Sequence, residues 1–488
     1  MRTVATWPPR RLCCFLLVVA FAAAATSSGA GKVVTSLPGF AGPLPFHLET
    51  GYVEVDELNG VELFYYFVES ESESESESSG SGPFLLWLTG GYRCTVLSGL
   101  AYEIGPVSFV VEPYDGTLPR LRYNPNSWTK VSHILFVDSP VGAGFSFSRD
   151  PRGYEVGDVS ASMQLHQFLI KWFGDHPKYL DSPFYIAGDS YAGKIVPFLA
   201  QMVSEGIEAG MKPAPNLKGY VVGNPMTGET IDYSSRVPYA HGFAIISDQL
   251  YERILGRCQG EDYTNPTNSL CAQALDTFNS LTNEVDMTQV LMDTCVSASP
   301  ATNVDSFRMN NAASDGRRIL RQEISGAERL NHPPARPPFS CFNYRYYLSY
   351  FWANDLRTRD ALGIKEGTVD EWVRCHVDGE LPYEPDLESS IKYHWNLTSR
   401  GYRALVYSGD HDLVVPHLGT QAWVRSLNFS IVDDWRAWHL DAQSAGFTIS
   451  YSNNMTFATI KGGGHTAPEF EPERCFAMFS RWILNRPL

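Results

Sequence analysis

The chain has 488 residues, 44% of them apolar, and a formal net charge of −16 at pH 7. The acidic balance excludes a nucleic-acid binder, which needs a basic footprint, and the length and apolar content allow a large buried core. No Gly-rich phosphate loop and no Cys-x-x-Cys pair occurs, so neither a cofactor nor a metal ion is expected.

In chain order, Arg2, Arg10 and Arg11 precede an apolar run at 12–25 that closes on Ala22-Ala23-Ala24-Ala25. This reads as a secretory signal over 1–25, too short to span a bilayer. No later run is apolar and long enough to cross a membrane, so the mature protein is expected to be soluble, without a membrane partner. The secretory route predicts disulfides among the seven later cysteines, and an odd number leaves at least one unpaired. It also predicts glycans at the sequons of Asn396, Asn428 and Asn454.

Residues 51–55 and 61–67 alternate as antiparallel strands do. The Glu-Ser repeat at 69–78 and the Ser-Gly run after it read as a solvated turn between strands. Residues 133–138 and 219–224 are continuous apolar runs, as in buried parallel strands. Residues 232–343 lie between core segments and read as a helical cap inserted between a first core part, 32–231, and a second, 344–488. Within the cap, 299–340 is rich in Pro, Asn, Ser and Arg and reads as a mobile loop. The aromatic run from Tyr344 to Trp352 reads as a helix packed in the core, with one or two rings left to face a substrate.

Three segments carry chemistry. Gly188-Asp189-Ser190-Tyr191-Ala192-Gly193 follows an apolar run and opens a helical one. That is the strand–turn–helix context of a nucleophile elbow, in which a sharp turn lifts the serine hydroxyl clear of the backbone. Asp410-His411-Asp412 follows the strand-like 404–406, and Gly462-Gly463-Gly464-His465 follows the strand-like 457–460. The order Ser, Asp, His is that of α/β-hydrolases, whose parallel strand ends converge on one crevice. A serine needs an adjacent base to become a nucleophile. His465 is placed as that base, and a carboxylate would hold its tautomer. Asp412 is the chosen carboxylate, with Asp410 as the alternative that could instead cap the turn.

The chain resembles the plant serine carboxypeptidase-like family across nearly its full mature length. The resemblance rests on the 85–91 segment ending Thr89-Gly90-Gly91, on Leu97-Ser98-Gly99 and Glu103-Ile104-Gly105-Pro106, and on Asn124-Pro125-Asn126-Ser127-Trp128. It continues through Asp138-Ser139-Pro140-Val141-Gly142, the elbow and the Asp and His loops. It implies an α/β-hydrolase fold with a mostly parallel central sheet and a helical cap. It also implies an oxyanion hole formed by the N–H groups of Gly91 and Tyr191, and a substrate pocket including Trp87, Thr89, Gly90 and Asp189.

The chain departs from the family pattern at four of these places. Tyr92 and Arg93 stand where Pro and Gly are usual. Arg93 would be strained if that position needs a positive φ, and its charge is read as pointing either to solvent or at the substrate. Thr89 and Asp189 stand where peptidase members have Asn and Glu to hold a terminal carboxylate. Gly-Asp-Ser-Tyr instead resembles the acyltransferase branch. The implied function is transfer of an acyl group, expected to be aromatic, from a 1-O-acyl glucose donor to an acceptor alcohol or amine. A serine carboxypeptidase is the alternative, and a non-catalytic binding protein on the same scaffold a second. The resemblance further implies disulfides Cys94–Cys341 and Cys258–Cys271, an excised loop leaving two chains, and a vacuolar or extracellular destination.

Overall fold

The computed structural model describes residues 31–73, 82–295, 336–376 and 380–488. The expected signal, residues 74–81 of the Glu-Ser and Ser-Gly tract, and residues 299–335 of the expected loop lie outside the described residues.

The apolar runs form β1 (Lys32–Val34), β2 (Leu48–Asp56), β3 (Val61–Val68), β4 (Phe84–Leu88), β5 (His133–Val137), β6 (Phe184–Asp189), β7 (Leu217–Gly223), β8 (Arg403–Gly409), β9 (Ile431–Leu440), β10 (Gln443–Tyr451) and β11 (Met455–Ile460). They follow one another across the sheet as β1-β2-β3-β5-β4-β6-β7-β8-β11-β10-β9, and the short strand Phe147–Ser148 pairs with β3 to complete 12 strands. The centre, from β5 to β11, is parallel. Both flanks are antiparallel. Parallel neighbours need crossovers. Helix α1 (Asp158–Asp175) leads into β6, and α2 (Ala192–Glu208) connects β6 to β7.

Side chains alternate along each strand, so the sheet builds two cores. In β4, Leu85 and Trp87 join one core while Phe84, Leu86 and Leu88 join the other. Leu165, Phe168 and Trp172 of α1 and Leu199 of α2 cover the second face. β3 was expected to keep the alternation of a half-wet strand, yet all eight of its residues are buried. Phe64 and Tyr66 pack into one core and Leu63, Tyr65 and Phe67 into the other, while its acidic member Glu62 is paired with Arg149 and Lys365.

Helices α3 (Arg236–Gly242), α4 (Asp248–Arg257) and α5 (Ser269–Thr282) bury Val237, Ile254 and Phe278 in a separate cluster that also takes in Leu413. A disulfide between Cys258 and Cys271 ties the end of α4 to α5. The residues after α5 are bonded directly to the loops past β8 and β11: Leu413 N–H donates to Met287 O (2.9 Å) and His465 N–H to Thr288 O (2.7 Å). The aromatic run forms α6 (Tyr344–Asn354), with Tyr344 and Trp352 buried. Trp482 and Phe479 of α7 (Pro472–Ile483) share that core.

The Cys94–Cys341 pairing is overturned: Cys94 is bonded to Cys375. Thr95 N–H donates to Arg374 O (2.8 Å) and His376 N–H to Arg93 O (3.2 Å), so the backbone brings the two cysteines side by side with their Cα atoms 4.0 Å apart. The Cys341 thiol instead contacts Cys295, and Cys475 is buried without a cysteine partner. Peptide mapping of the secreted protein should therefore return 94–375, 258–271 and 295–341. Cys475 should take up iodoacetamide only after denaturation. Recovery of a 94–341 peptide would contradict this assignment.

Candidate active site

β6 ends at Asp189, and Ser190 follows with φ +54°, the left-handed turn that an elbow imposes on a residue ill-suited to it. Its backbone is held on both sides: Ser190 N–H donates to Gly223 O (2.8 Å), and Met226 N–H donates to Ser190 O (2.9 Å). The turn leaves no space for a side chain on Gly193, where a Cβ would lie 2.4 Å from Pro225 Cβ. Tyr191 then caps the start of α2.

Three residues far apart in sequence meet at this turn. Ser190 Oγ lies 2.7 Å from His465 Nε2, and His465 Nδ1 lies 2.9 Å from Asp412 Oδ2. Asp412 is fully buried and also accepts from Asn224 Nδ2 (2.8 Å), Val414 N (2.7 Å) and Val415 N (3.1 Å). Asp410 does the other job foreseen for it. It pairs with His411 Nδ1 (2.6 Å) and accepts from Gly462 N (2.7 Å), which ties the Asp loop to the His loop. Burial works against a charged His465, but Asp412 and then Asp189 outweigh it, so the imidazole pKa is raised above its ordinary value.

Gly91 has φ +76°. Among the described residues, neither the Gly91 nor the Tyr191 N–H donates to a protein acceptor. Arg93 does sit at a strained positive φ, but its charge goes to neither place expected for it. Its φ is +70° and it is 2% exposed, with the guanidinium bonded to the carbonyls of Val141, Tyr154 and Pro382. It points neither to solvent nor at a substrate: it is a buried brace on the loop that carries Gly91.

Behind Gly90 stands a wall of acids. Asp189 Oδ1 accepts from Gly90 N (2.9 Å), and burial pushes its pKa up to about 6. Glu103 is held well above the usual carboxylate range by burial, then by the charges of Asp189 and Glu469, against the pull of Arg374. Asp189 Oδ2, Glu103 Oε2, Thr89 Oγ1 and Tyr407 Oη are buried without hydrogen-bond partners among the described residues. Glu469 is held by Tyr346 Oη (2.7 Å) and Thr466 Oγ1 (2.7 Å). Trp87 is wholly buried between Glu103 and Trp128, so it backs the pocket rather than lining its mouth. Glu103 was missed as a site residue, although a lone acid inside the apolar stretch Leu100-Ala101-Tyr102-Glu103-Ile104 was a visible signal. Asn224, polar and directly after a buried strand, was a second.

The sequons are differently placed. Asn428 and Asn454 are exposed with positive φ, whereas Asn396 sits half-buried in the helix Ile391–Ser399; Asn396 Nδ2 donates to Gln201 Oε1 (3.2 Å) and Asn454 Nδ2 to Gly401 O (3.2 Å).

The serine carboxypeptidase family profile matches residues 38–485. Serine carboxypeptidase-like 19 of Arabidopsis thaliana is 45% identical over 463 residues, covering 94% of this chain and 95% of that one. Serine carboxypeptidase-like 7 of the same plant is 43% identical over 458 residues, covering 94% of each. Among solved structures, Kex1(delta)p, a prohormone-processing carboxypeptidase from Saccharomyces cerevisiae, superposes with a TM-score of 0.68 at 18% identity, covering 93% of this chain and 94% of that one, which establishes the shared α/β-hydrolase fold. With nearly the whole chain matched, the protein belongs to the serine carboxypeptidase family and is an enzyme of that type.

Proposed function

We propose that the protein is an acyltransferase that moves an acyl group from a 1-O-acyl glucose ester to an acceptor alcohol or amine. The observation that carries this reading is the row of unpaired buried polar atoms at Thr89, Asp189 and Glu103 beside Ser190. A hydroxyl and two carboxyls that can hold or release protons both donate and accept, as sugar hydroxyls require. Thr89 lacks the paired amide donors an Asn would offer a carboxylate.

Ser190 Oγ attacks the ester carbon while its proton passes to His465 Nε2. The carbonyl oxygen becomes an oxyanion held by the Gly91 and Tyr191 N–H groups, each worth roughly 3 kcal/mol of barrier. The bond to glucose breaks, and His465 returns the proton to the departing sugar oxygen. The acceptor then gives its proton to His465 and attacks the Ser190 ester, and Ser190 leaves with that proton. Asp412 holds His465 in the required tautomer throughout. No cofactor takes part.

One observation favours carboxypeptidase activity as the second reading. Below about pH 6 Asp189 is protonated and can donate to a terminal carboxylate, and burial raises Glu103 beside it well above the usual carboxylate range. The mature protein is therefore assayed with an aromatic acyl glucose plus an acceptor panel, and with an N-blocked dipeptide, across pH 4–8 with Ser190→Ala as control. Ser190-dependent ester or amide formation that rises with pH as His465 loses its proton and persists after Asp189 has ionised, with the dipeptide intact, is expected. Dipeptide cleavage that fades as Asp189 ionises would instead establish the peptidase. The secretory route to vacuole or extracellular space, the glycans and a processed two-chain form belong to the same proposal. Among the described residues no helix is long and apolar enough to cross a membrane.

A further inference from the structure

The two lobes of the oxyanion hole come from loops about 100 residues apart, yet both are fastened to one segment, residues 382–387. On the first lobe, Gly91 (φ +76°) takes the left-handed turn freely, but Arg93 (φ +70°), two residues on, is strained there and must be held by its surroundings. Arg93 Nη2 does so by donating to Pro382 O (2.5 Å) and Tyr154 O (2.6 Å). On the second lobe, Tyr191 is fixed through its side chain. Its hydroxyl donates to Asp158 Oδ1 (2.8 Å), Lys194 Nζ sits 5.1 Å from its ring centre, and Tyr92 meets it edge-on at 5.2 Å.

Asp158, at the start of α1, is the junction. It is fully buried and takes four donors: Tyr191 Oη, Tyr383 Oη (2.7 Å), Lys194 Nζ (3.0 Å) and Leu387 N (3.1 Å). The segment is clipped alongside by parallel bridges of Tyr383 to Val156 and Glu384 to Gly157. Tyr92, between the lobes in sequence and space, stacks on Tyr383 at 4.8 Å with the two rings nearly parallel at 8°. A buried carboxylate with a counter-charge and every oxygen satisfied makes a rigid joint. Rigidity has value here because the oxyanion donors act through fixed distance, not through adaptation.

We infer that Asp158 and the 382–387 segment are a strap that sets the spacing between the Gly91 and Tyr191 donors, making Asp158, Tyr383 and Arg93 positioning residues for acyl chemistry at Ser190. The inference rests on Ser190 being the nucleophile, but not on what the acyl donor or acceptor is.

The test uses p-nitrophenyl butyrate, whose hydrolysis needs Ser190 and the oxyanion hole but neither a sugar nor a carboxylate pocket. A trifluoromethyl ketone, whose hemiketal oxygen would sit in the hole, is the second probe. Tyr383→Phe and Tyr191→Phe each remove one hydrogen bond and keep the ring. Each is expected to lower kcat about tenfold, and the double variant by less than the product of the two because both act through Asp158, with KM within about twofold. Ketone affinity should fall by the same factor as kcat/KM, and the unfolding midpoint should stay within a few degrees of the parent's. Asp158→Asn should show the larger loss. The strap is overturned if both tyrosine variants keep kcat, or if kcat falls while ketone affinity does not. If the parent protein itself neither turns over the ester nor binds the ketone while folded, the Ser190 reading falls, and the strap with it.

Discussion

Asp412→Asn should lower kcat about 10³- to 10⁴-fold while leaving substrate binding nearly intact. The reason lies in the donors around this carboxylate. Oδ1 faces the Val414 N–H, and Oδ2 faces His465 Nδ1, Asn224 Nδ2 and the Val415 N–H. A carboxylate satisfies all four because it only accepts. An amide has one oxygen and one donor nitrogen, so one side must conflict. If the oxygen stays on Val414, the NH₂ faces His465 Nδ1. The imidazole then accepts there and carries its proton on Nε2, aimed at Ser190, where no base remains. If the oxygen turns to His465, the Val414 N–H is left buried against another donor, which destabilises the loop.

The same change has a pH signature. Asp412 is the largest influence raising the His465 pKa against burial, so without it burial dominates and the pKa falls. The residual activity should have its acidic limb at lower pH than the parent enzyme, read from kcat against pH. An Asp412→Asn protein within tenfold of the parent, with an unshifted limb, would mean that Asp412 does not orient the base.

Much of this site was legible because each member sits immediately past a strand. Ser190, Asp412 and His465 announce themselves by local context, and a parallel sheet brings strand ends together whatever the intervening sequence does. The first antiparallel flank and the parallel centre were also visible in the apolar runs, whereas the second antiparallel flank, β9 and β10, was not. What stayed hidden depends on chain segments that meet only in the fold. Tyr383 reaches Asp158 across 225 positions, and Arg93 reaches Pro382 across 289. An arginine two residues past the glycine pair reads as facing either solvent or substrate until the carbonyls that capture it are placed. Cys94 carries no mark that prefers Cys375 over Cys341, since pairing is decided by two backbone hydrogen bonds between loop segments distant in sequence. Glu103 was visible as an oddity, but why it resists ionisation shows only in the fold: burial comes first, then closeness to Asp189 and Glu469.

Gly90→Ala is the second substitution expected to have a large effect, about a 10³-fold loss of kcat/KM for any ester that acylates Ser190. Gly90 is not held at a positive φ, so backbone strain is not the cause. Space is. A Cβ on Gly90 would stand 2.4 Å from Ser190 Cβ and 2.7 Å from Asp189 O, both rigid parts of the elbow, and 3.1 Å from Ser190 Oγ. Relief requires the oxyanion loop and the elbow to move apart by several tenths of an ångström or more. That motion breaks the Gly90 N–H bond to Asp189 and shifts Gly91 away from the oxyanion it would hold. The two lobes are fastened to the common segment 382–387, so they cannot separate freely, and part of the clash stays as destabilisation of about 1–3 kcal/mol. Steady-state kinetics on p-nitrophenyl butyrate, paired with thermal unfolding, separates the two effects. Activity should fall far more steeply than stability. A folded Gly90→Ala enzyme with kcat/KM within tenfold of the parent would show that the loop carrying Gly91 can yield, and that a fixed spacing between it and Tyr191 is not what the reaction depends on.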